Sequence, residues 1–106
     1  MLRDIKHKKF IKPLTDEDFL RVEFHKHKGK IVQFSLQYEA LIERKICIIM
    51  RVDNFHGSIP HRHVYHKNKK QTKFFINKNS DSVFNESQKS IIINFKKIKE
   101  NYLFAS

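Results

Sequence analysis

From Phe19 onward the chain alternates apolar and polar residues. Leu20, Val22 and Phe24 interleave with Arg21, Glu23 and His25, the period of two that marks a half-buried strand. Lys28-Gly29-Lys30 makes a turn, because glycine takes positive φ without strain. Val32, Phe34, Leu36 and Tyr38 then alternate with Gln33, Ser35 and Gln37, which predicts a second strand antiparallel to the first. After the polar break Glu43-Arg44-Lys45, the run from Ile46 to Val52 is apolar on both parities, as expected of a central strand covered on both faces. That strand ends on Asp53 and Asn54. Beyond a loop from Gly57 to Pro60, His61 to His66 predicts a fourth strand, Asn68-Lys69-Lys70 a turn, and Gln71 to Ile76 a fifth strand.

Asn77 to Ser82 reads as a polar linker. Asn85 with Gln88 resembles a capping box, and Ile91, Phe95, Ile98 and Tyr102 share one helical face. The fold class is therefore α+β: an antiparallel meander of four to five strands with a C-terminal helix packed on one face. Residues 1–18 read as a basic arm closed by a short helical turn that Thr15 caps, and residues 19–106 as a single α+β domain.

Charge changes this picture most. The 106 residues carry a formal net charge of +11, which makes polyanions the natural partners: RNA, DNA or an acidic protein that masks the surface. Between Asn54 and Ser80, Arg62, Lys67, Lys69, Lys70, Lys73 and Lys78 meet no acidic residue. Arg62 and the lysines from Lys67 to Lys73 are the candidate phosphate contacts. The longest apolar run is far too short to cross a bilayer, and residues 1–30 show no secretory pattern. The single cysteine, Cys47, makes no internal disulfide, which fits a reducing cytoplasm.

The densest chemistry lies in the segment from Asp53 to His63, with three histidines, an arginine and a carboxylate. On a strand, His61 and His63 project to one face about 6.6 Å apart at a rise of about 3.3 Å per residue, so both can address one phosphate. This suits metal-independent RNA cleavage. One imidazole would take the ribose 2′-hydroxyl proton, and the other would donate to the leaving oxygen. Arg51 or Arg62 would stabilise charge on phosphorus, and Asp53 would orient a ring. A second reading is a divalent transition metal at His61, His63 and His56 or Asp53, an open three-ligand arrangement. A third takes the histidines as packing residues, with Asp53 and Asn54 closing a turn and Arg51–Asp53 as a structural pair.

Met50-Arg51-Val52-Asp53-Asn54, followed by His56-Gly57 and Pro60-His61-Arg62-His63-Val64-Tyr65, resembles the core motif of TumE-type toxins of prokaryotic toxin–antitoxin modules and related small proteins. The likeness covers residues 46–66, with a looser match to the hairpin from Leu20 to Glu43. It points to Arg51, Asp53, Asn54, His61 and His63, and implies a small toxin acting on RNA, held in check by a partner antitoxin. TumE-type loops usually carry adjacent histidines after the Asp-Asn, whereas His56 stands alone here. The expected function is thus a toxin-like ribonuclease. The alternative is a non-catalytic nucleic-acid-binding or inhibitor protein working through its lysines, and open sheet edges leave room for a homodimer.

Overall fold

The computed structural model describes residues 5–55 and 59–104. Six antiparallel strands form one open sheet in chain order: β1 (Ile5–Pro13), β2 (Asp18–His27), β3 (Lys30–Ile42), β4 (Lys45–Asp53), β5 (His61–Tyr65) and β6 (Gln71–Phe75). One helix, α1 (Ser80–Phe104), follows. The meander and the single helix are as the alternation predicts, with one strand more.

The additional strand is β1, which sequence assigns to a basic arm. Lysines at Lys6, Lys8, Lys9 and Lys12 hide its period, yet its backbone pairs with β2 from Ile5↔His27 to Pro13↔Phe19. Side chains reinforce the ladder: His7 stacks on His25 with centroids 4.2 Å apart, and its Nε2 lies 2.9 Å from the Glu23 carboxylate. The segment from Thr15 to Glu17 is a bend rather than a helical turn, because the Leu14 amide donates to the Asp18 carbonyl and closes a tight return into β2.

Helix α1 packs across β3 and β4. Leu20, Val22, Phe34, Leu36, Tyr38 and Val52 on the sheet bury against Val83, Phe84 and Ile91 on the helix. Phe84 meets Phe24 and Phe34 edge-on, at 5.3 and 5.5 Å. Burial of each such side chain stabilises the fold by about 1.5–3 kcal/mol. Phe95, Ile98 and Tyr102 extend this face as the spacing predicts. The helix begins five residues earlier than the Asn85–Gln88 pair suggests. Asn79 is the cap, its Oδ1 accepting from the Ser82 amide at 2.8 Å, so half of the predicted polar linker, from Ser80 to Ser82, is helix.

Strand β4 corrects another expectation. Register shifts between Tyr38↔Met50 and Glu39↔Ile48, which leaves Ile49 as an extra residue. Ile49 joins the core, while Ile46 and Ile48 stay exposed. The double apolar parity therefore comes from a bulge and not from cover on both faces. No helix among the described residues is long and apolar enough to cross a membrane.

Candidate functional site

The face of the sheet away from α1 carries two rows of mainly polar residues that cross all six strands, ending on Phe75 in one and Ile11 in the other. Pairing aligns Lys9, Glu23, Ser35, Asp53, His61 and Phe75 in one row. The neighbouring row is Ile11, Arg21, Gln37, Arg51, His63 and Lys73. Asp53, His61 and His63 meet where β4 and β5 pair, at 2, 1 and 7 % exposure. The two imidazoles share one sheet face, edge to face with centroids 4.8 Å apart.

Each neighbour has a definable role. His61 Nδ1 lies 3.1 Å from the Ile59 carbonyl oxygen, which accepts its N–H and fixes the ring. Its Nε2 lies 3.1 Å from Asp53 Oδ1. A neutral imidazole has only one N–H, so a donor at Nδ1 turns a lone pair towards the carboxylate. The other carboxylate oxygen, Oδ2, is 2.9 Å from Arg51 Nε, a charge pair rather than an aligned hydrogen bond. The Phe55 amide donates to Oδ1 at 3.2 Å, so Asp53 also closes the strand end.

His63 differs from His61. Neither of its ring nitrogens has a hydrogen-bond partner among the described residues. Burial pushes its pKa below the ordinary imidazole value, and the positive charges of Arg51, His61 and Lys73 push the same way against Asp53. At neutral pH the uncharged form dominates, with one ring-nitrogen lone pair that no hydrogen bond from a described residue occupies, beside a half-buried guanidinium. The donor atoms of Asp53, His61 and His63 all lie within 4.8 Å of one another, so the trio could also hold a metal ion.

Residues 5–105 match the domain of unknown function DUF7718. The chain belongs to the DUF7718 family. No curated protein and no solved structure matches it.

In this DUF7718 chain the remaining predicted residues are dispersed. His56 lies outside the described residues. Asn54, singled out by the TumE likeness, is a structural staple. Its Oδ1 accepts from the Phe34 amide at 2.9 Å, while its Nδ2 donates to the Val32 carbonyl at 3.0 Å and to Ser80 Oγ at 2.8 Å. Arg62 lies on the helix side of the sheet, its guanidinium 4.9 Å from the Phe74 ring centroid, so it is separated from the histidines by the sheet itself. Lys67, Lys69 and Lys70 form the exposed turn between β5 and β6, with Lys67 Nζ 3.5 Å from Glu43. Lys73 alone of the cations predicted to contact nucleic acid shares the row of His63, where Arg51 also stands.

Sequence reasoning missed Gln37, and it reads Phe75 as an exposed aromatic without placing it beside the histidines. Phe75 is 71 % exposed, and its ring lies 6.1 Å from that of His61. Both belong to the site by register, which becomes readable only once β3 and β6 are paired to their neighbours.

Proposed function

We propose that this protein acts on RNA as a small, toxin-like ribonuclease, with His63 as the base. The observation that carries this reading is His63 itself: its ring nitrogens have no hydrogen-bond partner among the described residues, its pKa is pushed below the ordinary imidazole value, and it is set between Arg51 and Lys73 in one row. His63 removes the ribose 2′-hydroxyl proton as the 2′-oxygen bonds to phosphorus. The bond to the 5′-oxygen breaks, and the proton returns from His63 to that leaving oxygen, so charge and atoms balance. Arg51 and Lys73 stabilise the extra negative charge on phosphorus. His61, whose ring nitrogens face the Ile59 carbonyl and the Asp53 carboxylate, acts as a positioning residue. The net charge of +11 and the TumE-like motif favour the same substrate and an acidic antitoxin as partner.

Labelled RNA incubated with wild type and with His63→Ala tests it. Cleavage should fall at least about a hundredfold in the variant, and equal cleavage would overturn the assignment.

A second reading rests on the converging donors of Asp53, His61 and His63. In it a divalent transition metal binds the trio and polarises phosphate or water. Loss of cleavage in EDTA, restored by added Zn²⁺ or Mn²⁺, would select it over the metal-independent route.

A further inference from the structure

A cleft of about 550 Å³ lies on the same face as the histidines, above β1, β2 and β3. Lys9, Ile11, Arg21, Glu23, Ser35 and Gln37 line it. It joins the site directly, because Ser35 pairs with Asp53 and Gln37 with Arg51 across β3 and β4. Its volume lies within the usual range for small-molecule sites of about 300–1,000 Å³. Glu39 accepts from Arg21 Nε at 2.9 Å and from the Gln37 amide nitrogen, which holds both side chains in place at the cleft. Glu39 and Glu23 are thereby partnered, Glu23 by His7, so the acids here are balanced by bases.

On the opposite flank stands Phe75, an exposed aromatic ring with Lys73 Nζ 5.3 Å from its centroid. The order across the face is thus a polar cleft, then Arg51 and His63, then a cationic aromatic platform. At a strand spacing of about 4.8 Å, Gln37 lies two strands or about 10 Å from His63. That is the reach of one nucleoside from its phosphate to the far edge of its base.

We infer that the cleft over β1–β3 is a nucleotide pocket for single-stranded RNA. Gln37 and Arg21 read the edge of one base there, while Phe75 stacks the base on the other side of the phosphate at His63. This rests on the RNA reading above and adds base selection to it. Mixed amide and guanidinium groups discriminate base edges by their donor and acceptor pattern, whereas an aromatic face stacks any base. A duplex hides both surfaces of its bases, so single strands are the substrate class that fits.

Fluorescence anisotropy of the full chain with labelled 2′-O-methyl decamers of A, C, G and U tests this without cleavage, alongside a duplex of equal length. Single strands should bind at least about tenfold tighter than the duplex, with about a tenfold spread among the four bases. Gln37→Leu and Arg21→Met should each shrink that spread, and Gln37→Glu, which keeps the shape and loses the donor, should reorder it. Phe75→Leu should weaken all four by about tenfold alike. Equal affinity for duplex, no binding to any strand, or an unchanged spread in folded Gln37 and Arg21 variants would overturn the pocket. Intact unmodified RNA after incubation with wild type would sink the ribonuclease reading alone, since the binding pattern is read on strands that cannot be cut.

Discussion

At the scale of residues, two neighbouring histidines of the same type have separate tasks. His63 has a depressed pKa and is uncharged near neutrality, so the proposed RNA cleavage should keep its full rate to lower pH than an ordinary imidazole base, near 6.5, would allow. A pH–rate profile of wild type should place the acid limb below that value. Asp18 offers a matching prediction for stability. Burial pushes its carboxyl up, but hydrogen bonds from Thr15, Tyr38 and Lys99, with the charge of Lys99, outweigh it and leave the pKa below its ordinary value. The unfolded chain therefore binds the proton more readily. Asp18's contribution is present above the unfolded value of 3.8 and is lost as pH falls through the folded one. Thermal melts from about pH 5 to pH 2 should drop steeply for wild type and less steeply for Asp18→Asn.

Among elements, the turn between β3 and β4 is the clearest target. Glu43 and Arg44 both sit at positive φ, 50° and 67°, as a two-residue hairpin turn with primed geometry demands. Neither residue type favours that region, which costs about 1–2 kcal/mol per residue. Replacement of the pair by Asn-Gly should raise stability by about 1 kcal/mol and shift the urea midpoint upward. This element also shows what sequence can carry. The alternation in β2 and β3 was readable because each buries one parity against α1, and that in β5 because His61 and His63 are buried on one parity. Strand β1 was not readable, since its stability comes from backbone pairing and its lysines obey no period. The helix start was misplaced because Asn79 and Asn85 are equal as caps until the position of Val83 and Phe84 in the core decides between them. The histidine pair and its Asp53 contact were legible from a spacing of two. The cleft was not, because it is assembled from strands far apart in the chain.

For the whole molecule, extents of 46 × 28 × 20 Å describe a plate with one face covered by helix and the other polar. Binding of single-stranded RNA should be steep in salt. Changing Lys67, Lys69, Lys70 and Lys73 to Gln should lower the slope of log affinity against log salt by about 3, from a contribution of about 0.7 per phosphate contact. An unchanged slope would remove the β5–β6 turn from the interface. Both ends of the plate are open strand edges. Lys6, Lys8, Lys9, Lys12 and Pro13 on β1 oppose addition of a further strand there, so a homodimer through the β1 edge would have to bring these lysines together, whereas one through β6 would not.

The step from Asp53 to Asn54 couples these scales. Consecutive residues at a strand end point to opposite sides, one to the histidines and the other to Phe34, Val32 and Ser80 at the helix start. Mechanically, the helix start and the site are two arms of one lever with its fulcrum in a single peptide unit. A variant that loosens the far arm, such as Asn54→Ala, should cost about 2–3 kcal/mol of stability through the unsatisfied Phe34 amide and Ser80 hydroxyl. It should also slacken the near arm, so that a loss at the helix start is felt at Asp53 and the histidines.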